Sequence, residues 1–216
     1  MLIVALELWG FEAINIMSGY LGVYQLGACS IVFNIIISLF MIALGMSFPT
    51  ASLVGNSLGA GKPGNAIVYA KISIVIAIIV GVINFILILC FKSKLAYFFT
   101  NDDTIANMVI ISLPFMALSC FGDYTHAVSA AIIRAMGYQK YLTISVLISY
   151  WLITLPLTYY FTFELNLDIK GIMLGLPVGL TILSIFSFLL IFTADFYKLS
   201  EEIVKKIQKE KQDLKK

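Results

Sequence analysis

The chain has 216 residues, 61% of them hydrophobic and 12% charged, with a mean hydropathy of +0.99 and a formal net charge of +2. A soluble domain carries about twice that charged fraction. The composition excludes a soluble globular protein and is that of a polytopic, all-α membrane protein.

A bilayer core of about 30 Å takes about 20 helical residues, and six spans can be read in chain order. The first runs from about Leu2 to Tyr20 and the second from about Leu26 to Phe48, where Pro49 is expected to end it. "PTASLVGNSLGAGKPGNA" then reads as a tight turn with a short amphipathic helix. The third span covers about Ala66 to Phe91. The fourth covers about Ile105 to Ile133 and is interrupted by Pro114. The fifth covers about Tyr141 to Phe161, with Pro156 inside, and the sixth about Gly171 to Thr193, with Pro177 inside. The three prolines are hinge or static-kink candidates, since each removes a helix hydrogen bond. Residues 194–216 form a charged tail, read as a helix on the water side. The runs are too long, and alternate too little, for barrel strands.

Cys29, Cys90 and Cys120 sit in apolar runs without disulfide or metal spacing and read as small buried packing residues. The start lacks the basic region of a signal peptide, and acids interrupt its apolar run. Six spans put both ends on one side of the membrane. Lys62, Lys71, Arg134, Lys140 and the seven cations from Lys198 to Lys216 share that side, against Lys92, Lys94 and Lys170 opposite. The positive-inside rule therefore places both termini in the cytoplasm.

Ionisable groups at membrane depth cost at least about 2.5–3.5 kcal/mol each on insertion scales and are functional candidates by default. Here they are Glu7 and Glu12 in the first span and Asp123 and His126 in the fourth, with the neutral Asn34 in the second. No Lys or Arg precedes Lys62, so neither glutamate has a cationic neighbour in sequence. Five residues separate the glutamates by about 140° around a helix. They cannot share a face, so one is expected to face a cavity and the other a neighbouring helix. Asn15 lies one turn after Glu12. Ser119, Asp123 and His126 lie on one face of their helix. Two readings stand for Glu7, membrane depth or the water boundary about 9 Å from the chain start. Glu12 and Asp123 sit deeper, as proton carriers or as structural carboxyls bonded to Asn15 and Ser119. His126 reads either as a packing residue or as a proton relay. Burial disfavours the charged form of a carboxyl. A group of such carboxyls lining one cavity would have the chemistry of a proton-coupled carrier, and its charged form would attract an organic cation.

Four motifs in register then point to a family. "ELWGFE", "SLVGNSLGAGKPGNA", "YFFTNDD" and "AIIRAMGYQK" resemble, over essentially the whole chain, the second half of eukaryotic multidrug and toxic compound extrusion (MATE) transporters. The resemblance implies spans seven to twelve, that is, one six-helix lobe of a twelve-helix, two-lobe carrier. It implies that Glu7, Glu12 and Asp123 are the proton- and cation-handling carboxylates, with Asn15, Asn34, Ser119 and His126 as cavity candidates. Asn34 stands where some members carry Glu. Phe11, Phe33 and Phe40 stand where some carry Tyr, and Leu53 where Arg is usual.

The glycine-rich loop has no GK[ST] ending and no preceding strand, so it is not a phosphate-binding loop. With one histidine, no HExxH or G-x-S-x-G motif and a single in-span Asp, an enzyme is not expected. No cofactor, metal or nucleic-acid partner is expected either. The expected partners are a small organic cation or xenobiotic, H⁺ rather than Na⁺, membrane lipid and an N-terminal six-helix lobe, in a plasma or vacuolar membrane. Two other functions stay open: a lipid-linked oligosaccharide flippase of related architecture, or a non-transporting half that serves only as an assembly partner.

Overall fold

The computed structural model describes residues 2–213, and every element in it is helical. Lys215 and Lys216 of the tail lie outside the described residues. The helices are α1 (Leu2–Leu21), α2 (Val23–Gly59), α3 (Pro63–Phe99), α4 (Asp103–Ala117), α5 (Ser119–Ala135), α6 (Gln139–Glu164), α7 (Asp168–Thr193) and α8 (Phe196–Asp213). α2, α3, α6 and α7 are each long and apolar enough to cross a membrane. α4 and α5, bent by 47° at Leu118, make a fifth span as a pair. α1 has 20 residues and carries both glutamates. The chain is an all-α integral membrane protein.

The first difference from the sequence reading lies at Pro49. α2 does not stop there but runs on to Gly59, so the glycine- and serine-rich segment is helix, not loop. Pro49 has no N–H for the carbonyl of Gly45. On either side of that carbonyl, the hydroxyls of Ser47 and Thr50 bond the carbonyls of Leu44 and Met46 at 2.7 and 2.8 Å. Membrane helices tolerate proline where such local adjustments re-satisfy the backbone. The turn itself is confined to Ala60–Lys62. Gly61 adopts φ +72°, a left-handed conformation that favours glycine, and Pro63 starts α3. At 37 residues each, α2 and α3 are about 55 Å long. Their hairpin therefore stands clear of a bilayer core of about 30 Å.

α5 is the centre of the bundle, buried without a break from Gly122 to Ile133. Small residues let its neighbours approach. A Cβ on Gly122 would come within 2.8 Å of Leu180 Cβ on α7, and one on Gly81 of α3 within 3.2 Å of the Cys120 carbonyl. Hydroxyls then tie the helices together. Tyr124 Oη donates to the Leu39 carbonyl of α2 at 2.7 Å, and Ser184 Oγ of α7 donates to the Gly122 carbonyl at 2.9 Å. Between apolar helices in lipid, close packing and such bonds replace the hydrophobic effect as the source of association.

The prolines differ in what surrounds them. Pro114 lies inside α4, and the bend comes one turn later at Leu118. Pro156 is flanked by two π-helical stretches, Leu147–Thr154 and Tyr160–Glu164. There the wider ladder absorbs the missing donor. Pro177 is buried in α7. Cys29 and Cys120 are buried, but Cys90 is exposed on α3, contrary to its reading as a packing residue. α3 is the most apolar span and has much of its length on the outside of the bundle, where a thiol in an apolar run meets no neighbour.

α8 is a helix, as its charge pattern indicates. Asp195 caps it by accepting from the amides of Tyr197 and Lys198 at 3.0 and 3.1 Å. Its apolar side packs on the α2–α3 turn. Phe196 and Leu199 are buried, and Ser200 Oγ donates to the Leu58 carbonyl at 2.8 Å.

Candidate functional site

The candidate site lies between α1 and α5, which are joined by one side-chain contact. Glu7 points inward from α1 and meets His126 of α5, with Oε1 to Nε2 at 3.4 Å. The two side chains are 25% and 7% exposed. Of the two glutamates, it is Glu7 that contacts a neighbouring helix. Asp123, one turn before His126 on α5, is 7% exposed. Ser119, a further turn back, is fully buried.

Glu12 does not join them. The five-residue offset turns it to the exposed side of α1, beside the exposed Trp9 and Ile16. Asn34 is also exposed, on α2, where its carbonyl accepts from Ser38 Oγ at 2.7 Å. Asn15 is half-buried, and its Oδ1 is buried without a hydrogen-bond partner. It bonds neither Glu12 nor any other side chain among the described residues. The sequence candidates thus divide into two sets. Glu7, Asp123, His126 and Ser119 lie inside the lobe, and Glu12 and Asn34 lie on its surface.

Sequence reasoning missed the α6 residues that hold α1 in place. Trp151 Nε1 donates to the Leu6 carbonyl at 3.3 Å. Tyr150 packs at Gly10, where a Cβ would come within 2.9 Å of the Tyr150 ring. Phe11 bridges Phe33 of α2 and Tyr150, with ring centroids 6.1 and 6.0 Å away. The signal was available in the adjacent Tyr–Trp pair in mid-span, where one end of each ring needs a polar partner. The aromatic wall fixes the height and rotation of α1, and so the distance from Glu7 to His126.

Among the described residues no three His, Cys, Asp or Glu side chains are grouped to hold a metal ion. Two shallow depressions lie away from the acids. One is at Met108, Ile111 and the Asn166–Lys170 loop, and the other is between α8 and the α2–α3 turn. Two carboxyls and one imidazole thus lie between α1 and α5, the Glu7 carboxyl partly exposed and the Asp123 carboxyl and His126 ring buried.

The protein is thus an all-α, multi-pass membrane lobe with ionisable side chains between its helices. The chain belongs to the MATE family, whose family model, MatE, matches residues 1–160. It is 32% identical over 178 residues to the human "Multidrug and toxin extrusion protein 1", covering 82% of this chain and 31% of that protein. The Xenopus tropicalis protein of the same name is 31% identical over 202 residues, covering 94% of this chain and 35% of that protein. The fold matches the crystal structure of the eukaryotic MATE transporter AtDTX14 with a TM-score of 0.90 at 22% identity, covering 95% of this chain and 46% of that one. The chain thus spans about a third of the length of these curated relatives and about half of the solved transporter.

Proposed function

We propose that this chain is the C-terminal lobe of a secondary active antiporter that exports organic cations or xenobiotics in exchange for protons. The observation that carries the reading is that two carboxyls, the buried Asp123 and the partly buried Glu7, lie within the lobe, and that among the described residues no Lys or Arg forms an ion pair with either. An acid buried without a fixed cation needs a proton or a mobile cation to balance it. That alternative is the exchange reaction itself. Relatives named for multidrug and toxin extrusion support the substrate class.

Glu12 and Asn34 fit the same scheme from the other side. They are exposed on the lobe in a chain that spans about half of the solved transporter. A two-lobe carrier places its pathway at the interface between repeats, so a second six-helix lobe would cover them and close the cleft. Glu12 then meets the substrate first, while Glu7 and Asp123 hold its charge balance. The excess of basic residues on one side puts both termini in the cytoplasm, in a plasma or vacuolar membrane.

The test is pH-gradient-driven uptake of tetraethylammonium into proteoliposomes holding this lobe with its partner lobe. Asp123→Asn and Glu7→Gln are expected to abolish it, and Glu12→Gln to weaken cation recognition, with all three proteins inserted normally. Wild-type rates in Asp123→Asn and Glu7→Gln would remove the assigned roles.

A further inference from the structure

Toward α5, the turn of α1 that carries Glu7 has one open polar contact among the described residues, Glu7 Oε1 to His126 Nε2 at 3.4 Å. The grip of α6 on that turn is closer. Trp151 Nε1 donates to the Leu6 carbonyl at 3.3 Å, and the Tyr150 ring lies where a Cβ on Gly10 would come within 2.9 Å. In an α-helix the carbonyl of residue i bonds the amide of residue i+4, so Leu6 and Gly10 are the two ends of one ladder bond. Glu7 stands between them, next to the held carbonyl. A carbonyl has two lone pairs, so the indole bond adds to the ladder and does not break it.

α6 is a firm mount for this grip. Tyr150 and Trp151 lie in the π-helical stretch Leu147–Thr154, where Thr154 Oγ1 donates to the carbonyl of Ser149, five residues back, at 2.7 Å. Thr154 and Thr158 are set against Gly179 and Gly175 of α7, where a Cβ on either glycine would sit 2.8 Å from the threonine Cβ. α7 is in turn tied to α5 through Ser184 and the Gly122 carbonyl. The position of α1 is therefore referred to the rest of the lobe through α6. Of the aromatic contacts, only the indole bond is directional, and a hydrogen bond weakens steeply when it is turned off its axis. It sets rotation as well as height.

We infer that Trp151 is a positioning residue for Glu7, holding the turn that carries the acid at the depth and rotation in which a cation is received. The inference rests on the antiport reading above and adds to it a side chain, outside the acids, that governs cation affinity. Trp151→Phe deletes one N–H and keeps an aromatic ring against α1. The Leu6 carbonyl retains its ladder partner, so no buried group is left unsatisfied. What is lost is position, not fold.

Tetraethylammonium uptake by the two-lobe protein in proteoliposomes reads that position as an affinity. Trp151→Phe is expected to raise KM about three- to tenfold, the order of one lost neutral hydrogen bond, with kcat per inserted molecule within about twofold. A merely structural role would lower the amount of active protein and leave KM alone. Gly10→Ala pushes the same turn off the Tyr150 ring and should act in the same direction. Gly19→Ala, on α1 with open space around it, should change neither constant. Cross-linking reads the position without transport. With the three native cysteines replaced, Glu7→Cys and His126→Cys together should be bridged rapidly in membranes by a short bis-methanethiosulfonate, and Trp151→Phe should slow the bridging. An unchanged KM in Trp151→Phe, or an unchanged bridging rate, would overturn the assignment. Failure of the unsubstituted protein to take up tetraethylammonium would count against the antiport reading alone, and the bridging rate would then decide the role of Trp151.

Discussion

Gly175 of α7 lies directly against Thr158 of α6, where a Cβ on the glycine would sit 2.8 Å from the threonine Cα. The contact repeats at each turn. A Cβ on Gly171 would sit 2.7 Å from Thr162 Cα, and one on Gly179 would sit 2.8 Å from Thr154 Cβ. Three glycines at four-residue spacing thus face three threonines at the same spacing, and the helices close to backbone contact. Gly175→Ala should force them apart and destabilise the lobe by about 1–3 kcal/mol, the range for overpacking. Gly45→Ala is the control, since that helical glycine has open space around it. It should be neutral or stabilise by up to about 1 kcal/mol through helix propensity. Thermal unfolding of the two variants in detergent checks the contrast.

The sequence reading did not single out these stripes, although small residues four apart in a greasy run are a helix-packing pattern. The two glutamates were legible as residues of different faces, since 140° of rotation follows from helix geometry alone. The Glu7–His126 contact was not, because it joins residues 119 apart in the chain and no local rule brings them together. Pro49 misled for a physical reason. Proline ends helices in water, where the freed carbonyl has solvent to turn to. Here α2 runs on past Pro49 to Gly59, with the Ser47 and Thr50 hydroxyls bonded to the Leu44 and Met46 carbonyls. The true turn was marked by Gly61 and Pro63, one positive φ followed by a helix-starting proline.

Orientation gives the next prediction. Lys205 on α8 and Asp102 before α4 are both exposed, and the excess of basic residues puts them on opposite sides of the membrane. With the three native cysteines replaced, a cysteine at position 205 should resist a membrane-impermeant thiol reagent in intact cells, and one at 102 should react. The reverse pattern would invert the topology.

The lobe should insert alone but not work alone. Each helix satisfies its own backbone hydrogen bonds, yet Glu12 and Asn34 are left on an exposed surface. A carboxyl facing lipid costs a few kcal/mol or stays protonated, and in either case it recognises no cation. The 216-residue chain expressed by itself is therefore expected to reach the membrane without exporting substrate. Co-expression with a matching N-terminal lobe should restore export. Oligomeric state, measured alongside, would show whether a second copy covers the same surface.

The central claim is that cation and proton compete for one set of acids. Its most direct test is proton release on binding, measured by adding tetraethylammonium to the assembled two-lobe protein in weakly buffered solution. The account predicts release of roughly one proton per bound cation near neutral pH, as linkage requires when the two exclude each other. It also predicts that the release is lost in Asp123→Asn or Glu7→Gln. Saturable binding of the cation with no proton released at any pH would contradict it.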